Sequence, residues 1–195
     1  MRWWSSLRQA YPGRRPIVLA AIVLVVCVIV GGGISAAAVV TVHMTSTEEF
    51  CSSCHINDAA AEFKGTIHDR NRTGVRAACA DCHLPKEVVP MMVRKVKAAK
   101  EVWGHFTGKI DTKEKYEKHR YEMAVSEWTR MLGNNSQECR NCHTPSAMDP
   151  EKQSETARAR HAKAKAENLS CIHCHFGIAH TEPDGPGPKE LKVAR

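Results

Sequence analysis

The pentapeptide Cys-x-x-Cys-His occurs four times in this chain and uses eight of its nine cysteines. Two cysteines at this spacing form thioether bonds to a porphyrin, and the histidine that follows can ligate the iron, so the pattern is typical of c-type haem attachment. We therefore predict four covalently bound haem c groups and electron-transfer chemistry. The predicted attachment residues are Cys51, Cys54, Cys79, Cys82, Cys139, Cys142, Cys171 and Cys174, and the proximal iron ligands are His55, His83, His143 and His175.

Two other uses of cysteine pairs explain the pattern less well. Two pairs would make one four-thiolate zinc site, which leaves the four trailing histidines without a role. Disulfides in an oxidising compartment do not require a histidine directly after every second cysteine. The ninth cysteine, Cys27, lies in an apolar run and is read as a small hydrophobic residue.

The N-terminal 42 residues differ in composition from the rest. Residues 1–16 contain four arginines and no acidic residue, and residues 17–42 carry no charge. A helix of that apolar length is about 39 Å long, which is enough to cross a hydrocarbon core of about 30 Å. We predict a cytoplasmic N-terminus, a single anchor in the bacterial inner membrane and an outward, periplasmic remainder. A cleaved signal peptide is the alternative, but its apolar core is usually only about 7–15 residues long.

The remainder of the chain predicts one all-α, haem-dominated cytochrome domain over residues 43–181. Porphyrins supply apolar surface, so such a domain needs few long apolar runs. Residues 182–195 are rich in proline and glycine and are predicted to be a disordered tail. The formal charge of +7 includes the four N-terminal arginines, and haem propionates offset part of the rest. The basic balance therefore does not indicate a nucleic-acid partner.

Helix signals recur along this domain, and no strand pattern stands out. Ser46 followed by Glu49 resembles a capping box and predicts a short helix that carries the first motif. The segment Pro90–Phe106 is predicted to be an amphipathic helix packed on haems, and its basic character also suits a lipid surface. Its predicted apolar face contains Val89, Met92, Val93, Val96, Ala99, Trp103 and Phe106.

Two further helices are expected towards the C-terminus. One opens near Asp111 and Glu114, which form a loose capping box, and ends at Gly133. The other covers residues 152–167 and carries His161. Seven histidines outside the motif positions are candidates for the second axial ligand of an iron: His43, His68, His105, His119, His161, His173 and His180. His173 ranks low because it lies inside the fourth motif.

The order of a basic N-terminus, one anchor and four haem motifs resembles the NapC/NirT family of membrane-anchored tetrahaem quinol dehydrogenases. The resemblance covers about residues 1–182. It implies that electrons pass from quinol in the membrane to periplasmic reductases, such as those for nitrate or nitrite. The segments that carry it are Cys79-Ala-Asp-Cys-His-Leu-Pro-Lys86, Met92-Val-Arg-Lys-Val96, Glu138-Cys-Arg-Asn-Cys-His143 and Cys174-His-Phe-Gly-Ile-Ala-His180.

The resemblance also implies distal ligands. It assigns His180 to the second haem, His161 to the third and His68 to the fourth. Several family members ligate the first haem with a methionine two residues after the motif histidine. This chain has Asn57 there, which leaves either His55 as the ligand or a weakly ligated iron.

The family's quinol site, beside the first haem, aligns with Lys95 and Glu101. A lysine there can hydrogen-bond a quinone oxygen, and a carboxylate can accept a proton. Six residues apart on a helix, the two side chains are about 240° apart and flank a face. The alternative is that both are solvated surface charges.

Other functions remain open at the level of sequence. The same architecture can run in reverse, from a periplasmic oxidase into the quinone pool. A catalyst acting on a small nitrogen compound and a passive conduit whose partner handles the quinone are further alternatives. The sequence does not decide between ubiquinol and menaquinol, name the periplasmic redox partner, or decide whether the chain forms a homo-oligomer.

Overall fold

The computed structural model of the protein describes residues 15–53 and 57–191, and every regular element within these ranges is helical. The chain divides after Ser46 into two compact units. The α-helices are α1 (Arg15–Met44), α2 (Glu48–Ser52), α3 (Asn57–Phe63), α4 (Cys79–His83), α5 (Val88–Phe106), α6 (Lys113–Gly133), α7 (Gln137–Arg140) and α8 (Glu155–Ala166). Short 3₁₀ turns cover Pro145–Ala147, Pro150–Lys152, Cys171–His173 and Pro188–Glu190.

The first unit contains the single long helix α1. It spans 30 residues, none of which is buried against protein, and it is long and apolar enough to cross a membrane. The apolar run predicted as an anchor, residues 17–42, lies entirely within it. The basic segment before residue 15 lies outside the described residues.

Two helices of the second unit begin at a different cap from the one predicted. The hydroxyl of Thr47, not Ser46, accepts the Phe50 N–H at 3.2 Å and caps α2. Ser46 instead donates its hydroxyl to the Val42 carbonyl at 2.6 Å, in the last turn of the preceding helix. A hydroxyl engaged in that way is not available to cap the next helix.

The start of α6 shows the same kind of difference. Thr112 is the N-cap and accepts the Lys115 N–H at 3.4 Å. The Asp111 carboxylate accepts from the Lys115 ammonium at 2.7 Å and does not cap the helix. The predicted end at Gly133 is confirmed, as are the helices that contain residues 90–106 and His161.

A small apolar cluster holds α6 to the C-terminal part of the chain. Leu132 is 2% exposed, and Trp128 lies edge-on to Tyr121 and Phe176, with ring centroids 6.4 and 5.6 Å apart. Among the described residues, the buried apolar side chains are Ile110, Tyr116, Trp128, Met131, Leu132 and Ile172. A protein core this small agrees with a domain in which porphyrins supply much of the apolar interior.

The C-terminal segment packs onto this cluster as far as residue 191, which differs from the disordered tail predicted from residue 182. Tyr121 donates its hydroxyl to the Pro186 carbonyl at 3.1 Å, and the side chain of Pro188 is fully buried. Gly185 has a φ of +139° and lies so close to the Tyr121 ring that a Cβ would collide with it. Proline and glycine therefore fit this segment to an aromatic surface. Residues 192–195 lie outside the described residues.

A charged pair joins three segments that are distant in sequence. Arg120 of α6 donates to both carboxylate oxygens of Glu62 in α3, at 2.8 and 2.5 Å, and to the Thr181 carbonyl at 2.7 Å. Glu62 also accepts the Thr181 N–H at 2.9 Å. Burial raises the pKa of Glu62, but the hydrogen bonds from Arg120 and Thr181 outweigh it and leave the pKa below its ordinary value.

We predict that Glu62→Gln destabilises the domain by about 1–2 kcal/mol, because it removes charge-assisted hydrogen bonds that are partly screened by solvent. The depressed pKa in the folded protein means that this contribution is present above about pH 4.3 and is lost as the pH falls through the lower, folded-state value. Thermal unfolding followed by circular dichroism at pH 7 and pH 3 measures both effects.

The matched control is Glu151→Gln, which removes an exposed carboxylate paired with Arg158 at 3.0 Å. It should leave the unfolding midpoint nearly unchanged. Equal midpoints for Glu62→Gln and the wild-type protein at pH 7 would contradict the assigned contribution.

Candidate haem-binding site

Each described motif lies on a helical turn that folds its histidine back towards its first cysteine. The His143 N–H donates to the Cys139 carbonyl at 2.8 Å, and the His175 N–H donates to the Cys171 carbonyl at 3.0 Å. Cys79 and His83 bound the helix α4. In the first motif, Cys51 lies on α2, whereas Cys54 and His55 lie outside the described residues.

Three motif histidines each face a histidine from elsewhere in the chain. The ring centroids are 6.1 Å apart for His83 and His180, 6.2 Å for His143 and His68, and 6.0 Å for His175 and His161. Two imidazoles that ligate one iron from opposite sides place their centroids about 6 Å apart, because each iron–nitrogen bond is about 2 Å long and each ring adds about 1 Å. The spacing of all three pairs therefore fits a shared iron.

The pairing exchanges two of the predicted assignments. His180 lies beside the second motif, as the resemblance implies. His68, however, lies beside the third motif and His161 beside the fourth, the reverse of the prediction. The turn after α8 explains the position of His161. The Leu169 N–H donates to the Ala164 carbonyl at 2.8 Å, and Asn168 has a φ of +53°, so the chain reverses directly from α8 into the fourth motif.

The Nδ1 atoms of these rings are turned towards different protein groups. The His83 Nδ1 lies 3.1 Å from a carboxylate oxygen of Glu127, the His161 Nδ1 2.7 Å from the Gln153 amide oxygen, and the His180 Nδ1 3.1 Å from the Ala59 carbonyl. Among the described residues, the buried Nδ1 of His68 has no hydrogen-bond partner. A ring whose Nδ1 hydrogen-bonds to protein has its Nε2 available for a metal, so these partners also fit the predicted haems.

The four motifs follow one another in space as they do in sequence. The side chain of Cys51 interacts with that of Cys79, and α2 contacts α4. The second and third motifs meet where α4 contacts α7. The side chain of Cys139 interacts with that of Cys171 and so joins the third motif to the fourth. Each attachment site is therefore a direct neighbour of the next.

The two predicted quinol-site residues lie on the partly covered face of α5. Lys95 is close to Cys51 of the first motif, and burial lowers the pKa of its ammonium. A carboxylate oxygen of Glu101 lies 3.5 Å from the guanidinium of Arg94, which is two turns earlier on the same helix. The structure thus brings Lys95 to the first motif and pairs Glu101 with a neighbouring arginine.

The predicted apolar packing face of α5 is directed away from the protein. Trp103 is 70% exposed and Phe106 78% exposed, and the other residues of that face are exposed as well. The face turned inward instead carries Arg94, Lys95 and Glu101. The contacts of this inner face, including an Arg94–Glu127 ion pair at 3.3 Å, explain why the helix has this rotation.

The remaining described histidines have other surroundings. The His119 Nδ1 lies 3.3 Å from a Glu122 carboxylate oxygen, and the His105 ring lies edge-on to Phe106. His173 receives the Ser170 N–H at 3.1 Å inside its own turn, which agrees with its low rank as a ligand. His43 lies in α1.

Sequence reasoning missed the charged residues beside the second and third motifs. Arg130 donates to Glu127 at 2.6 Å, to the Cys82 carbonyl at 3.0 Å and to the nearly buried carboxylate of Glu138. Glu127 and Arg130 are three residues apart on α6, which is a spacing for helix-surface ion pairs. That spacing is too common to have identified them as parts of a site.

Helices, histidine pairs and four adjoining attachment motifs define a multihaem c-type cytochrome. The model of the NapC/NirT cytochrome c family, N-terminal region, matches residues 14–185, and the chain belongs to this family. It is a tetrahaem cytochrome c with an N-terminal membrane anchor.

Several curated proteins are similar over most of the chain. Cytochrome c-type protein NapC of Haemophilus influenzae is 52% identical over 143 residues, which are 73% of this chain and 72% of the relative. Denitrification system component NirT of Stutzerimonas stutzeri is 51% identical over 143 residues, 72% of this chain and 71% of the relative. A putative tetraheme cytochrome-c type protein of Allochromatium vinosum is 45% identical over 146 residues, 74% of this chain and 79% of the relative. No solved structure matches the chain.

We predict that His68→Ala, His161→Ala and His180→Ala each convert one low-spin haem into a high-spin haem, because each removes one of two axial ligands. Electron paramagnetic resonance of the oxidised protein measures the change, and added imidazole should restore the low-spin signal. His119→Ala is the control and should leave all signals unchanged. A low-spin spectrum identical to the wild type in any of the three variants would exclude that histidine as a ligand.

Proposed function

We propose that this protein oxidises quinol in the bacterial inner membrane and passes the electrons to a periplasmic reductase. The observation that carries the proposal is the serial contact of the four attachment motifs, from Cys51 at one end to His175 at the other. Haem irons accept and release single electrons. Motifs that adjoin one another in order provide a continuous path between two ends of the domain.

The exposed face of α5 supports a lipid surface as the place where quinol is received. Polar side chains on the covered face and large apolar side chains on the outer face are the reverse of the pattern expected for a helix surrounded by water. Lys97 and Lys100 are also exposed on this helix and suit anionic lipid head groups. We therefore propose that the outer face of α5 contacts the bilayer.

The inner face of the same helix supplies the groups for quinol chemistry. Oxidation of one quinol releases two electrons, which leave one at a time, and two protons. Lys95, beside the first motif, donates a hydrogen bond to a quinol oxygen and orients the ring. Glu101 accepts one proton from a quinol hydroxyl, and the second proton leaves to the solvent. The Arg94 guanidinium lies 3.5 Å from the Glu101 carboxylate and holds it in position by direct pairing.

The names of three similar proteins bear on the acceptor. One relative is described as a denitrification system component and two as NapC. We propose a periplasmic reductase of the nitrate or nitrite type as the acceptor, and a periplasmic orientation of the haem domain that follows from the N-terminal arginines. The same path can carry electrons in the opposite direction, so the haem potentials and the partner's potential set the direction.

We predict that Lys95→Met and Glu101→Gln each slow haem reduction by quinol about tenfold or more, since each removes a group that contacts the reacting oxygen and a loss of about 1.4 kcal/mol is a factor of ten. Stopped-flow mixing of the full chain in detergent with menaquinol or ubiquinol measures the rate. Lys97→Met and Glu87→Gln are controls on the same helix and its N-cap, and they should react like the wild type.

A form that lacks residues 1–42 adds a second comparison and should also be reduced more slowly. Unchanged rates in Lys95→Met, Glu101→Gln and the shortened form would contradict quinol oxidation at this site. Reduction by dithionite in each variant checks that the haems are present and accessible.

We predict that a photoreactive benzoyl-phenylalanine at Val96, on the outer face of α5, cross-links to phospholipid in liposomes that contain the full chain. Val96 is 72% exposed, and an apolar side chain at a bilayer surface is buried among acyl chains. Mass spectrometry of the adduct measures the result. The same residue introduced at the exposed Thr156 of α8 is the control, and equal lipid labelling at the two positions would contradict a specific lipid face.

A further inference from the structure

The carboxylate of Glu127 lies at the centre of a partly buried charge cluster beside the second motif. One oxygen lies 3.1 Å from the His83 Nδ1 and accepts from the Arg130 Nη2 at 2.6 Å and Nε at 3.0 Å. The other oxygen accepts from the Arg94 Nη2 at 3.3 Å. The Glu127 and Arg94 side chains are each only 17% exposed.

Three helices fix this carboxylate in place. Arg94 reaches it from α5, Arg130 lies one turn further along α6, and His83 ends α4. Arg130 is itself anchored, because it also donates to the Cys82 carbonyl at 3.0 Å and to Glu138 of α7. Asn134 in turn donates to both oxygens of Glu138, at 3.0 and 2.9 Å. A carboxylate held by this many donors is ionised and has little freedom to leave the histidine.

The three histidines that face the motif histidines have a weaker acceptor at Nδ1 or none. His180 faces a backbone carbonyl, His161 faces a neutral amide oxygen, and His68 has no hydrogen-bond partner among the described residues. An acceptor on the outer nitrogen makes an imidazole a stronger electron donor to its metal, and a carboxylate does so most strongly. Stronger donation stabilises ferric over ferrous iron and lowers the reduction potential.

We propose that Glu127 is a positioning residue for the second haem: by accepting the Nδ1–H of His83 it orients that ligand and gives this haem the lowest reduction potential of the three whose two ligands the structure describes. The inference rests on His83 and His180 as ligands of one iron, and it does not require that quinol is the electron donor.

This order has a consequence for electron flow along the domain. The second haem lies between the first and third attachment sites, so its potential sets the height of the step that electrons cross between them. Replacing the Glu127 carboxylate by a weaker hydrogen-bond acceptor should raise the reduction potential of the second haem and so make the transfer of electrons onto it less unfavourable. The effect is local to one haem, which makes it separable from a general change in stability.

The experiment is a potentiometric titration of the full chain in detergent with redox dyes, followed by electron paramagnetic resonance of each low-spin signal. The signal that is lost in His180→Ala identifies the second haem, and the signal lost in His161→Ala identifies the fourth. In the wild type, the second haem should be the last of the three to be reduced. In Glu127→Gln its midpoint should move to a more positive value, while the other midpoints stay in place.

Two matched variants test the specificity of the effect. Glu122→Gln removes an exposed carboxylate on the same helix, whose histidine neighbour is the non-ligand His119, and it should shift no midpoint. Gln153→Leu removes the amide acceptor behind His161 and should raise the midpoint of the fourth haem alone. An unchanged midpoint of the second haem in Glu127→Gln, or a shift to a more negative value, would overturn the proposal.

The wild-type titration is a test that does not depend on whether Glu127→Gln folds. If the midpoint potential of the second haem is not the lowest of the three, the proposal is wrong. Because dyes and dithionite supply the electrons, failure of quinol oxidation would leave this result unaffected. Conversely, a different order of the haem midpoint potentials would not by itself contradict quinol oxidation.

Discussion

The facing pairs of imidazoles are the constraint on which the rest of this structure depends. Two pairs join segments that are far apart in sequence, His180 with α4 and His68 with the residues after α7, and the third joins His161 to the fourth motif just after its helix. The apolar cluster around Trp128 and Leu132 is small for a domain of this length. Metal–ligand bonds that form only in the folded chain contribute their binding free energy to folding. If each pair ligates one iron, as we propose, the iron sites act as the crosslinks that the protein core is too small to provide.

Charge occupies the inner positions that apolar side chains occupy in most helical domains. Arg94, Glu127, Arg130 and Glu138 run from α5 through α6 to α7 as an alternating series. Such a series is stable in a partly buried setting because each charge has an opposite neighbour and further hydrogen bonds. It leaves the large apolar side chains of α5 on the outside, and the proposed lipid contact gives them an environment in which exposure carries no penalty.

Features that depend on neighbours in sequence were predictable, and those that depend on neighbours in space were less so. The four attachment motifs, the apolar helix α1 and the three longer helices of the second unit follow from spacing and composition alone. The caps at Thr47 and Thr112 were missed because Ser46 and Asp111 are engaged by other groups. The exchange of His68 and His161 depends on a chain reversal at Asn168, and the rotation of α5 depends on Glu127. Neither has a signal in a single sequence. The ligation of all four irons stays a prediction, and the first motif's histidine also lies outside the described residues.

Helix α8 makes few contacts with the rest of the protein. Of its twelve residues, only Ala157 and Ala164 are partly covered, and every other side chain is exposed. Its most specific contact is that of His161 with the ring of His175. His175 belongs to the fourth motif, which is the last to be synthesised. If His161 ligates the fourth haem, as we propose, attachment of that haem adds the bond that fixes this helix to the rest of the domain. We then expect a chain that lacks the fourth haem to expose a less restrained basic helix to proteases, so that the end of maturation coincides with a gain of proteolytic resistance.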